Sequence, residues 1–248
     1  MHVGYTTLFQ NPDNAMPDGE VYREEVRLAE LTEPLGFDSI WGVEHHFTDY
    51  TMCPDVLQFL TYMAGRTSRI KLGSSVIVLP WHDPMRVAEQ ISMLDHLSGG
   101  RMILGFGRGL GNVELSGFRI NQGESRARFV EYAEMLIEGL ERGWLEGGDL
   151  TQQPRRDIRP FPLRSFRGRT YAAAVSPESM PHQVLEKLAH IRDVIGPNAF
   201  MATLSYAGMP YDEAERNLRC FASHILPELR AWSAAPLAEP RSLDIRAG

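Results

Sequence analysis

Short apolar runs alternate with stretches of helical periodicity over the first two thirds of the chain, and this alternation restricts the fold most. Repeated strand–helix units lay their strands parallel in one sheet with helices packed outside it. Residues 3–8, 39–43, 70–79 and 102–106 read as the first four strands. A charged helix over 20–35 is closed by Gly36, and a second starts at Asp55 behind Pro54. Asp83-Pro84 pairs an N-cap with a proline at the first helical position, and Val87, Ile91, Leu94 and Leu97 line one face of the helix it opens. After Ser125, Phe129, Ala133, Leu136, Ile137 and Leu140 keep helical register. Residues 145–169 break the rhythm and read as a loop excursion or short hairpin. Strands over 171–175 and 200–204 follow, with helices over 183–195 and 211–229.

The 248 residues suit a (β/α)₈ barrel, which runs to about 250. Six strands are recognisable where that barrel has eight. The expected fold class is therefore α/β, a TIM-type barrel that is shortened or incomplete. It forms a single domain over residues 1–231, with a flexible tail over 232–248.

An apolar share of 43% and a charged share of 23% fit a soluble globular chain. A net charge of −7 speaks against a broad basic face for nucleic acid. No run approaches the roughly 20 apolar residues of a membrane span, and the N-terminus lacks a signal-peptide profile. Cys53 and Cys220 make neither a disulfide framework nor a metal motif, so a cytoplasmic setting is expected.

Four constellations fall at the C-terminal ends of strands, where such barrels carry function. The first is Glu44-His45-His46-Phe47-Thr48-Asp49-Tyr50. Neighbouring strand residues face opposite ways, so one imidazole looks into the mouth, where it can donate a hydrogen bond or shuttle a proton. The alternative is a pair that merely satisfies a strand end. The second is Gly73-Ser74-Ser75-Val76-Ile77, whose serines sit oddly in a β-branched strand because buried hydroxyls need partners. They suit a ligand, an unusual peptide geometry or ordinary strand polarity.

The third is Gly105-Phe106-Gly107-Arg108-Gly109, a turn that lets backbone approach a ligand and offers a guanidinium to a phosphate. It fits neither G-x-G-x-x-G nor a P-loop, and a tight βα turn is the alternative reading. The fourth is Ser176-Pro177-Glu178-Ser179, an anion site or a simple helix cap.

Together these runs resemble the bacterial-luciferase-like family of flavin-dependent oxidoreductases. The resemblance lies in Gly36-Phe37-Asp38-Ser39-Ile40-Trp41, the Glu44 to Tyr50 run, Val76-Ile77-Val78-Leu79-Pro80 with Asp83-Pro84, Leu94-Asp95, Ser98-Gly99-Gly100-Arg101, Gly107-Arg108-Gly109 and the region from 205 to 229. It implies that His45 is the active-site histidine beside the flavin's reactive edge. It also implies a non-prolyl cis peptide at Ser75-Val76 under the ring, and phosphate contacts from Arg108 and Ser176 with Ser179 nearby. Val175 stands where the family often has Glu.

The implied chemistry is monooxygenation of a small organic substrate such as an aldehyde, with reduced FMN supplied by a separate flavin reductase. Helices near 55–66 and 84–98 match those of the family's homodimer. About a hundred residues of the family pattern are missing near Pro181/His182, including its lid. Two alternatives follow: a non-catalytic FMN-binding dimer, and an oxidoreductase that uses a deazaflavin. No metal is expected, because a metal-dependent hydrolase would need a second convergent set of histidines or carboxylates at the strand ends.

Overall fold

The computed structural model describes residues 2–109, 111–172, 199–206 and 208–231. A parallel sheet forms its centre. β1 (His2–Thr7) pairs with β2 (Ser39–Gly42), β2 with β3 (Lys71–Ser74), and β3 with β5 (Met102–Gly107). β4 (Ile77–Val78) continues β3 along the end of β5, and β8 (Thr170–Ala172) pairs with the other edge of β5. β9 (Ala199–Ala202) returns to β1. This is the strand succession of a TIM-type barrel, open between β8 and β9 among the described residues.

The outward positions of these strands are apolar. Val3, Tyr5, Ile40, Leu72, Met102, Leu104 and Phe106 are buried against α1 (Asp18–Thr32), α2 (Val56–Arg66), α3 (Pro84–Leu97) and α5 (Ser125–Arg142). The inward positions are mostly small or polar, with Trp41 and Ile103 the large exceptions. Register places Gly4, Thr6, Ser39, Trp41 and Gly73 on one face. Trp41 fills the space the glycines leave, since a Cβ on Gly4 or Gly73 would lie within 2.3 Å of its ring system. Its Nε1 donates to Ser39 Oγ at 2.7 Å, and Tyr171 meets its ring edge-on from β8.

The helix starts follow their caps. Asp55 accepts from Gln58 N at 2.9 Å and Asp83 from Arg86 N at 3.0 Å, with Pro84 at the first helical position. The excursion after α5 is a short hairpin, β6 (Trp144–Leu145) with β7 (Arg156–Asp157). One expectation is corrected: the strand over 70–79 is two strands. A cis peptide at Ser75-Val76 lies between them, and residues Leu79–Trp81 turn into a 3-10 helix. Two elements escaped the sequence reading. α4 (Asn112–Gly117) is one and a half turns long, and a π turn at Phe221–Ile225 separates α6 (Tyr211–Cys220) from α7 (Leu226–Ala231). The helix over 183–195, the break near Pro181/His182 and the tail over 232–248 lie outside the described residues.

No helix among the described residues is long and apolar enough to cross a membrane. Both cysteines are free, and burial pushes the Cys53 thiol up to about 12.

Asp95 ties α3 to the segment that leads into β8. Fully buried, it accepts from Arg169 Nη1 at 2.6 Å, Arg169 Nη2 at 3.1 Å and Arg164 N at 3.0 Å. Asp95→Ala takes away the charge partner of the Arg169 guanidinium and the acceptor of the Arg164 amide, and is expected to remove about 3–5 kcal/mol of stability. Urea unfolding followed by circular dichroism measures it. An unchanged midpoint would show that the pair holds nothing.

Candidate functional site

β2, β3–β4 and β5 run parallel, so the segments after them meet at one end of the sheet. His45 follows β2. Its backbone N–H donates to Cys53 O at 3.1 Å, which folds the segment back on itself. Its ring meets Tyr50 edge-on at 5.3 Å, and its Nδ1 lies 3.0 Å from Glu114 Oε1 on α4. Glu114 is 4% exposed and His45 reaches solvent. Burial alone would raise the Glu114 carboxyl. The hydrogen bond and charge of His45, with backbone N–H groups, outweigh burial and hold it below the ordinary carboxylate range. An ionised partner at Nδ1 assigns that nitrogen the proton and leaves Nε2 open.

His46 turns the other way. Its Nε2 donates to Glu44 Oε1 at 3.2 Å, and its ring packs against Phe118 and Trp81. The two neighbouring imidazoles thus serve two different carboxylates. Glu44, 3% exposed, also receives His82 Nε2 at 2.5 Å and Val78 N at 2.8 Å. Burial pushes this carboxyl up, and the bonds from His46, His82 and Val78 bring it below its usual range. Burial lowers His82, and Glu44 more than restores it, so its pKa ends above 6.5.

The odd serines have separate roles. Ser74 Oγ donates to Gly105 O at 3.0 Å and accepts from Gly105 N at 2.9 Å. A Cβ on Gly105 would lie 2.0 Å from Ser74 O, so only glycine fits there. Ser75 N donates to Gly42 O at 2.7 Å, and the half-buried Ser75-Val76 peptide is cis. A Cβ on Gly107 would come within 2.3 Å of Val76 Cγ2. Val78 pairs with Gly107, which sets Arg108 just past the end of β5. Arg108 is half-buried, and no hydrogen bond or ion pair holds it among the described residues.

His45, Ser75, Val76 and Arg108 therefore gather at one end of the sheet. Ser176 and Ser179 lie outside the described residues. Thr6 also belongs to this end: buried, on the inner face beside Trp41, its Oγ1 has no hydrogen-bond partner. Sequence reasoning passed over Glu114, His82 and Thr6 and gave Glu44 no role of its own. Only the acidic residue three places past Gly111 offered a signal for Glu114.

A parallel barrel sheet whose histidine, glycine-rich turn and guanidinium share the C-terminal strand ends has the form of a cofactor-using α/β enzyme. The luciferase-like monooxygenase family matches residues 1–189, and the chain belongs to that family. The alkanal monooxygenase alpha chain of Photorhabdus luminescens is 33% identical over 127 residues, covering 51% of this chain and 35% of that one. The chain spans about a third of the length of the curated relatives it matches. Among solved structures, monooxygenase RslO1 from Streptomyces bottropensis aligns with a TM-score of 0.72 at 22% identity, covering 92% of this chain and 99% of that one. The oxygenating constituent of 3,6-diketocamphane monooxygenase from Pseudomonas putida, in complex with FMN, aligns at 0.60 with 16% identity, covering 90% and 62%.

The Glu44–His82 pair has a pH signature. The lowered Glu44 contributes stability that is complete above its unfolded value near 4.3 and lost as pH falls through its folded value. The raised His82 contributes stability that is complete below about 6.5 and lost as pH rises through its folded value. The urea-midpoint gap between wild type and His82→Ala is expected to narrow as pH rises from about 6 past that value. A gap constant over the range would rule out the charged pair.

Proposed function

We propose that the chain is a flavin-dependent monooxygenase that uses reduced FMN and dioxygen on a small organic substrate such as an aldehyde. The observation that carries this reading is the guanidinium of Arg108, unpaired among the described residues, at the same strand ends as the His45–Glu114 pair and the Ser75-Val76 peptide. Membership of the luciferase-like family supports it.

The residues present fit an FMN. A dianionic phosphate needs a cation that is not already paired, and among the described residues Arg108 has no hydrogen-bond or ion-pair partner. The Ser75-Val76 step offers half-buried backbone and a branched side chain as a surface for a flat ring. Thr6 Oγ1 is a buried hydroxyl still owed a partner, aimed to the same face. When bound, a reduced flavin supplies the electrons that activate dioxygen, one atom entering the substrate and the other leaving as water.

The chain's own residues do the rest. Arg108 binds the phosphate, with Ser176 and Ser179 assigned to the same end of the cofactor. Ser75 and Val76 support the ring. Glu114 holds His45 by Nδ1 and keeps it oriented, so that Nε2 takes up and releases a proton beside the substrate. A separate flavin reductase delivers the cofactor. The exposed Tyr62, Met93 and Leu97 on α2 and α3 support a homodimer through those helices.

Titrating the purified protein with FMN and reading absorbance and fluorescence tests the proposal. Arg108→Ala is expected to weaken binding about 10–100-fold, the worth of a charge-assisted phosphate contact, with folding intact because no hydrogen bond or ion pair ties Arg108 to the described residues. Binding unchanged in Arg108→Ala removes the phosphate assignment. A preference for a deazaflavin over FMN in the same titration redirects the cofactor. FMN binding without oxygenation under any reductase-coupled assay leaves a flavin-binding dimer.

A further inference from the structure

We propose that Glu44 is a positioning residue for the cofactor: its buried carboxylate clamps the His45 segment to the chain that follows Ser75-Val76, so that the imidazole and the surface beneath the ring are held as one unit. The inference rests on the flavin reading above.

The donors that converge on Glu44 come from three places. His46 belongs to its own segment, Val78 to β4, and His82 to the chain just before α3. Each leads to a different part of the site. Glu44 precedes His45. Val78 lies two residues past Val76 and pairs with Gly107, the neighbour of Arg108. His82 ends the turn that carries Trp81, whose ring stacks on Phe118 beyond α4. One carboxylate thus sits between the imidazole, the cis step and the guanidinium-bearing turn. A residue without a side-chain acceptor would leave the Val78 amide and two ring nitrogens without their partner.

The surroundings leave little else to replace it. Only about 10 Å³ of free space adjoins Glu44 and His82, bounded by Asp55, Val56, Leu57, Ile77, Val87 and Gln90. This is at the lower limit for one water molecule. The ionisable groups facing His82 are Glu44 and Asp55 at the start of α2; the lining residues from α3 are the uncharged Val87 and Gln90. Glu44 is therefore the close negative partner of His82, and Asp55 acts through charge alone.

Glu44→Gln keeps the shape and removes the charge. His82→Gln removes one donor and leaves Glu44 its bonds to Val78 and His46. Both variants are titrated with FMN, and bound FMN is examined by visible circular dichroism, which reports the ring's surroundings rather than fold stability. The pKa of His82 is read by NMR in the cofactor-free protein. Glu44→Gln is expected to weaken FMN about tenfold, to change the visible dichroism of the bound ring, and to lower the His82 pKa by removing the hydrogen-bonded negative charge that raises it. His82→Gln is expected to produce the same two flavin effects to a smaller degree, and it carries the test should Glu44→Gln not fold. Wild-type affinity and dichroism in both variants would overturn the clamp while the flavin reading stands. Wild-type protein that binds no FMN would retire that reading and this proposal with it, even if the His82 shift is seen.

Discussion

The site depends on how closely two strands approach. Ser74 Oγ bonds both the N–H and the C=O of Gly105, and Ser74 O occupies the space a side chain on Gly105 would need. From there the chain leaves regular pairing for two residues and rejoins β5 at Ile77. Its freed amides find acceptors off the ladder, Ser75 N on Gly42 O and Val78 N on Glu44 Oε2. Both acceptors belong to the end of β2, the element that delivers His45. The interruption in one strand and the placement of the histidine on the next are therefore one arrangement, enforced by hydrogen bonds that neither strand makes alone.

Most of the architecture was legible because it is written in local patterns. The outward faces of β1, β2, β3 and β5 carry Val3, Tyr5, Ile40, Leu72, Met102, Leu104 and Phe106, and a parallel strand covered by helices must be apolar there. Asp55 and Asp83 cap their helices as residue type and spacing require. What escaped is what local pattern does not encode. α4 is too short to show a period. The π turn at Phe221–Ile225 changes the hydrogen-bond register of a helix without changing which side chains are apolar. The break in the strand over 70–79 follows the Ser74 contact with Gly105 on β5, a neighbour that the run itself does not reveal.

The site was legible as residue types and not as partnerships. His45 and Arg108 stand out in the sequence because of their neighbours: a second histidine, and glycines on both sides. Their surroundings come from far along the chain. Glu114 is 69 positions from His45 and His82 is 38 from Glu44. Both contacts exist because parallel strands bring their following segments to one edge, so the topology has to be known before the pairs can be read. Thr6 shows the same limit from the other side. A threonine in a strand is ordinary, and only the register that sets it beside Trp41 on the inner face makes its unpartnered hydroxyl informative.

The adjacent histidines show how one residue type is divided between two tasks. His45 is tied through Nδ1 to a carboxylate on α4, which fixes the ring and leaves its outer nitrogen open at the mouth. His46 is tied through that outer nitrogen to Glu44, with Phe118 and Trp81 across its faces, so its proton is held where nothing else can reach it. The two adjacent rings meet different carboxylates, and Phe47 follows with φ at 59°. Two imidazoles with a carboxylate each allow one to exchange protons with whatever enters the mouth while the other keeps the wall behind it in place.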